Sequence, residues 1–171
     1  MATKALLYGF GPYEEFDRNI SETILGLLEP SPELVRKVFD TRFSRAMFQH
    51  SLRQHSPDVI IGLGQHRSAR KLRLERKALN RWGDGQSRLK AVSRTGPPML
   101  YVNLELPEDE NTTVTYDAGT YVCNFSMYVC LEHCVTTGAR FAFIHVPRDY
   151  DVALATAYVS RSVRFALSEQ R

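Results

Sequence analysis

Cys123 stands in the run Ala118-Gly119-Thr120-Tyr121-Val122-Cys123-Asn124, and His145 follows in Phe143-Ile144-His145-Val146-Pro147. The first run places a cysteine at the start of a helix, and the second places a histidine at the end of the next strand. Those are the positions a thiol nucleophile and its base need in an α/β enzyme. A free thiol has a pKa of about 8.5, so little of it is ionised at neutral pH. The unpaired amides of a first helical turn favour an anion by about 0.3–1 kcal/mol, or about 2 in a favourable buried geometry. One pKa unit corresponds to about 1.36 kcal/mol, so a helix tip alone moves a thiol by roughly a unit. A reactive thiolate therefore needs a second cause, and an imidazolium at His145 would supply it and then donate its proton to a leaving amine. The same amides could hold the oxyanion of a tetrahedral intermediate. Taken alone, one cysteine and one histidine on such a rim are more often structural than catalytic.

The flanking elements support the meeting of these two residues. Residues 4–9 form a short apolar strand ending in the turn Gly9-Phe10-Gly11-Pro12. Ser21, among Ile20, Ile24 and Leu27–Leu28, marks a helix that Pro30 terminates. Residues 33–39 predict a strand, and 42–54 a helix opened by Thr41. The continuous, β-branched run Pro57–Gly64 is the clearest buried strand. Strands are also predicted at 71–79, 99–104 and 113–116. The helix after Val122 meets no Gly or Pro until Gly138, a suitable stop. A strand over 141–146 follows. Asp149 or Asp151 then caps a last helix with Val152, Ala155, Val159, Val163 and Ala166 on one face. The alternation predicts an α/β fold, a three-layer α/β/α sandwich with a mixed, mostly parallel open sheet. Gly9–Pro12, Gly62–Gln65 and His145 all follow carboxyl ends of strands, where such sheets build their sites.

The chain of 171 residues suits one domain, and its 43% hydrophobic content fits a globular protein. No apolar run approaches the roughly 20 residues of a membrane-spanning helix. Residues 1–10 lack a signal-peptide pattern. Three closely spaced cysteines do not resemble an extracellular disulfide framework, which predicts a cytoplasmic location. The net charge of +3 hides an asymmetry, because Arg67–Arg94 holds ten Lys or Arg against Glu75 and Asp84. Such a stretch could attract anions or nucleic acid. The plainer reading is a solvated strand face and loop, since no nucleic-acid motif accompanies the charge.

Four blocks together resemble pyroglutamyl peptidase I, the cysteine peptidase family that removes an amino-terminal pyroglutamate. They are Gly9-Phe10-Gly11-Pro12-Tyr13, Gly62-Leu63-Gly64-Gln65, Glu75-Arg76-Lys77-Ala78-Leu79-Asn80, and the cysteine and histidine blocks. The resemblance implies one peptidase-like domain over 1–171. It makes Cys123 the nucleophile, His145 the general base and acid, and Glu75 the group orienting the imidazole. Phe10, Tyr13, Tyr121 and Val122 fall where the family surrounds the flat lactam ring, and Gln65 where it has a glutamine near the substrate. A neutral lactam wants apolar faces around it and a few hydrogen bonds at its edge. The implied partner is a peptide with a blocked amino terminus, with no cofactor or metal required, no membrane, and no nucleic acid. A homo-oligomer is compatible with the family.

The sequence also departs from the family. An acidic, Arg- and Pro-bearing loop of the family reads Arg81-Trp82-Gly83-Asp84-Gly85-Gln86-Ser87-Arg88 here, with Arg81 or Arg88 as candidate counterparts of its arginine. Phe125 replaces the histidine usual after the Cys-Asn pair, and Gln65 is followed by His66-Arg67-Ser68 in place of small residues. A divergent member with altered specificity or no catalysis, and an anion- or nucleic-acid-binding module using 67–94, are the alternatives. Strand alternation also puts Glu75 on one face with Arg73 and Lys77, a simple surface pairing. Cys130, His133 and Cys134 lack the second ligand pair of a closed zinc site and fit a buried helix face better.

Overall fold

The computed structural model describes residues 4–168, so the first and last three positions of the expected 1–171 unit lie outside the described residues. The strands are β1 (Ala5–Phe10), β2 (Leu34–Phe39), β3 (Val59–His66), β4 (Leu72–Glu75), β5 (Lys77–Leu79), β6 (Met99–Tyr101), β7 (Thr112–Thr115) and β8 (Arg140–Pro147). The helices are α1 (Ile20–Leu27), α2 (Arg45–His55), α3 (Val122–Thr137) and α4 (Val152–Ser168). Six strands form one sheet in the order β2-β1-β3-β8-β4-β7, parallel except where β4 meets β8. The expected mixed, mostly parallel α/β architecture is the one observed.

Period-two alternation divides the central strands between two cores. Leu7, Ile61, Leu63, Ala142 and Ile144 face α1 and α4, whose Ile24, Leu25, Tyr158 and Val159 complete that layer. Leu6, Tyr8, Ile60, Phe141 and Phe143 face α2 and α3. Residues 62 and 64 on β3 and 145 on β8 share the parity of this second face, so Gly62, Gly64 and His145 look toward α3. A β-carbon at Gly62 would come within 2.6 Å of the Tyr8 ring. Glycine there lets the aromatic core reach the strand.

Helix α3 is apolar nearly all round, as a helix enclosed on several sides must be. It is covered by the sheet, by α2 and by the two-stranded ribbon β5–β6. That ribbon corrects the single strand expected over 71–79. The chain breaks at Arg76, where the Arg76 N–H bonds to Thr115 and its carbonyl accepts from Val102. Beyond that point β5 leaves the main sheet and pairs antiparallel with β6. The 99–104 strand is correspondingly short.

Two caps also differ from expectation. Helix α2 is capped by Ser44, whose hydroxyl accepts from the Met47 N–H, whereas Thr41 donates to the Gly11 carbonyl. Asn19 caps α1 by accepting from the Ser21 N–H. Between the two aspartates proposed for α4, Asp151 accepts from the Leu154 N–H, while Asp149 pairs with Arg148. No helix of the described residues is long and apolar enough to cross a membrane.

Candidate active site

Cys123 is the second residue of α3, in the turn whose amides have no helical partner. Gly119, at φ 73°, turns the chain into the helix through a left-handed conformation that suits glycine. The tip is then fastened from two sides. Gly83 donates its N–H to the Thr120 carbonyl at 3.0 Å. Asn124, fully buried, accepts from the Leu79 N–H at 2.8 Å and donates to the Leu79 and Arg81 carbonyls at 3.0 and 2.9 Å. The segment following the β5 ribbon thus fixes where the cysteine points.

His145 on β8 lies opposite Gly64 on β3 and opposite Arg73 on antiparallel β4. A β-carbon at Gly64 would meet the Cys123 sulfur at 2.6 Å and the His145 Cδ2 at 3.0 Å. The missing side chain is what lets sulfur and imidazole share this space. His145 Nδ1 is 2.7 Å from Glu75 Oε1, and the ring also hydrogen-bonds Cys123. With Nδ1 turned to the carboxylate, the Nε2 edge is left for the sulfur. Burial works against a charged imidazole, but the Cys123 and Glu75 contacts outweigh it and raise the His145 pKa to about 9.

Glu75 is not on a surface. Its side chain is 0% exposed and its Oε1 accepts from both His145 and Arg73 Nε, the latter at 3.1 Å, while Thr115 donates its hydroxyl to Oε2. Cys123, His145 and Glu75 are therefore brought together in one hydrogen-bonded line. Among the described residues no group of three or more His, Cys, Asp or Glu side chains is arranged to hold a metal.

This line ends at a cleft of about 590 Å³ that Tyr13, Gln65, Tyr121, Cys123 and His145 help to line. Tyr13 and Tyr121 face each other with ring centroids 6.3 Å apart. Gln65 is buried, its Oε1 accepts from the Ile20 N–H at 2.9 Å, and its Nε2 has no partner among the described residues. Phe10 and Val122 are placed differently from the other expected pocket residues. Both are buried in the α2–α3 core, behind the cleft wall and not on it.

Neither Arg81 nor Arg88 lines the cleft; its arginines are Arg67 and Arg73. The loop 83–85 contributes Gly83, Asp84 and Gly85 instead. The basic stretch is dispersed, with Arg67, Arg73 and Arg76 each paired to carboxylates and Lys90 lying over the Trp82 ring. Sequence reasoning missed Arg73, Thr115 and Asn124 as site-building groups. Arg73 carried a signal in its alternation with Glu75, and Asn124 in its adjacency to Cys123. Thr115 carried none, because β7 meets β4 through a long connection.

Comparison with known proteins gives a consistent picture. Residues 105–163 match the family model of pyroglutamyl peptidase. The chain is 27% identical to the pyrrolidone-carboxylate peptidase of Bacillus subtilis, over 86% of this chain and 79% of that protein. It is 25% identical to pyrrolidone-carboxylate peptidase 1 of Saccharolobus solfataricus, over 92% and 83%. The fold superposes on the crystal structure of pyroglutamyl peptidase I from Bacillus amyloliquefaciens with a TM-score of 0.84 at 24% identity, covering 98% of this chain and 96% of that one. The pyrrolidone carboxyl peptidase from Thermococcus litoralis gives 0.86 at 20% identity, covering 99% and 96%.

Proposed function

We propose that this chain, related in sequence and fold to the pyroglutamyl peptidases, is a cysteine hydrolase that removes an amino-terminal pyroglutamyl residue from peptides. The observation that carries the reading is the line Cys123–His145–Glu75 at the foot of a cleft, with the sulfur on a helix tip and the carboxylate fully buried. The peptidase names of the relatives supply the substrate class. Residues 1–171 act as one peptidase-like domain, and three free thiols support a reducing cytoplasm.

In this mechanism the Cys123 thiolate attacks the pyroglutamyl carbonyl carbon, and a C–S bond forms as the carbonyl electrons move to oxygen. First-turn amides of α3 stabilise that oxyanion. His145 gives its Nε2 proton to the leaving amine nitrogen as the C–N bond breaks, leaving a thioester. A water molecule then loses a proton to His145 and attacks the thioester, and the C–S bond breaks to release pyroglutamate. Glu75 keeps Nδ1 as the donor and so presents Nε2 to the reacting atoms. Tyr13 and Tyr121 offer ring faces to the flat lactam, and the unpaired Gln65 Nε2 offers its edge a donor.

The test is turnover of a fluorogenic pyroglutamyl amide by the purified protein, alongside iodoacetamide labelling mapped by mass spectrometry. Turnover lost in C123A, with Cys123 labelled before Cys130 and Cys134, is expected. Burial pushes both of those thiols far up, Cys134 to about 12. No turnover, together with equal reaction of the three cysteines, would end the hydrolase reading.

A further inference from the structure

Arg73 is the cation closest to this chemistry. Its side chain is about one-fifth exposed, and it lines the same cleft as Cys123 and His145. Its guanidinium is held by four partners. Nε donates to Glu75 Oε1 at 3.1 Å, Nη1 contacts His66 Nε2 at 3.1 Å, and Nη2 donates to Thr115 Oγ1 at 3.2 Å and to the Asp117 carbonyl at 2.7 Å. A planar fork so fixed is a frame and not a mobile surface charge. Together with Thr115, which takes Oε2, it determines the plane of the Glu75 carboxylate.

The same oxygen, Glu75 Oε1, accepts from His145 Nδ1. Two donors, one of them permanently charged, therefore divide one carboxylate oxygen. The charged or titratable groups facing His145 are Cys123 from α3, Glu75 and Arg73 from β4, and His66 at the end of β3, its ring 5.3 Å away. Burial, His145 and Arg73 each push the His66 pKa down. Arg73 is thus the one permanent cation in the group.

We propose that Arg73 is a positioning residue, which aligns the Glu75 carboxylate and, by sharing Oε1, limits how strongly that carboxylate holds a proton on His145. The inference rests on the hydrolase reading and deepens it. An imidazole bound only to a buried carboxylate would retain its proton too tightly to pass it to a leaving amine. Arg73 weakens that grip while keeping the geometry, so that acid and base roles remain available to one ring.

The experiment compares Arg73→Met and Arg73→Lys by NMR titration of the His145 ring and by the pH dependence of kcat and KM on a pyroglutamyl amide. In R73M, the His145 midpoint and the alkaline limb of kcat are expected to move up together by about one pH unit. At neutral pH, kcat should fall roughly tenfold with KM little changed. R73K keeps the charge but not the fork, so its midpoint should stay near the original while kcat still falls. R73Q gives the same reading as R73M should the methionine variant not fold. An unchanged midpoint and kcat in the uncharged variants, or a change confined to KM, would overturn the proposal. Absence of turnover in the unsubstituted protein would instead remove the hydrolase reading, and the titration, needing no substrate, would still decide the part played by Arg73.

Discussion

Gly64 and Cys123 approach each other so closely across the β3–α3 junction that a single added carbon on Gly64 would stand 2.6 Å from the sulfur. The glycine therefore serves the site and not the strand, since its backbone is ordinary extended chain that alanine also adopts. Gly64→Ala is expected to push the sulfur away from the imidazole. Overpacking of this kind costs about 1–3 kcal/mol, whereas a displacement near 1 Å at a reacting atom costs about 10²-fold in rate. Activity should thus collapse in a protein that still unfolds cooperatively in urea. A G64A protein with full turnover would show that the sulfur does not need this space.

The buried imidazole ties stability to pH. Because the folded-state pKa of His145 lies above its ordinary 6.5, at about 9, folding binds its proton more tightly than the unfolded chain does. That contribution is complete below about pH 6.5 and is lost as pH rises through about 9. A pKa unit is about 1.36 kcal/mol, so the loss amounts to a few kcal/mol at most. Cys123 is the largest cause acting to raise the value, ahead of Glu75. In C123A the upward shift should shrink, and the fall in stability between pH 7 and 10 should flatten. Urea midpoints measured across that range for both proteins check the sign, and parallel curves would refute it.

The parallel core of the fold was legible because buried strands such as Val59–Leu63 are continuous apolar runs, and because helix-length gaps separate them. Cys123 and His145 were legible as positions relative to those elements. The ribbon β5–β6 was not, since Lys71–Leu79 keeps a strand-like alternation through the break at Arg76, and only tertiary pairing with Thr115 and Val102 imposes it. Phe10 and Val122 illustrate the converse. Their apolar character suits either a pocket wall or the packing behind it; the alternation on β1 puts Phe10 in the core beside Tyr8 and Phe48, and Val122 at the start of α3 packs into the same core. Glu75 was ambiguous between a surface pair with Arg73 and an orienting partner of His145. It turns out to contact both, which no strand pattern expresses.

Asn124 carries a prediction about the scaffold under the nucleophile. Its amide satisfies three backbone groups, one on the donor side and two on the acceptor side, of the segment 79–81. Asn124→Leu matches the volume but strands all three in the interior, which should cost about 2–4 kcal/mol. Asn124→Asp keeps the acceptor for the Leu79 N–H yet sets a carboxylate against two carbonyls, so it should be at least as damaging. Urea unfolding gives the ranking, and a leucine variant of undiminished stability would show that water or a rearranged loop replaces the amide.

Gln65 separates recognition from folding within one side chain. Its Oε1 accepts from the Ile20 N–H at the start of α1, a structural bond, while its buried Nε2 is unpaired beside the cleft. Gln65→Glu keeps an acceptor for Ile20 and removes the donor, while a carboxylate at this buried position also lowers stability. A lost hydrogen bond is worth about 0.5–1.5 kcal/mol, and a charge facing a lactam oxygen costs more, so KM for a pyroglutamyl amide should rise about tenfold or above. Gln65→Leu removes both ends and leaves the Ile20 N–H buried without a partner. It should raise KM and also lower stability by about 1–3 kcal/mol. The informative readout of the pair is KM, which reports whether the free N–H reads the lactam. If Q65E binds substrate as well as the unsubstituted protein does, the free N–H plays no part in recognising the lactam, and the pocket must read that ring through its tyrosine faces alone.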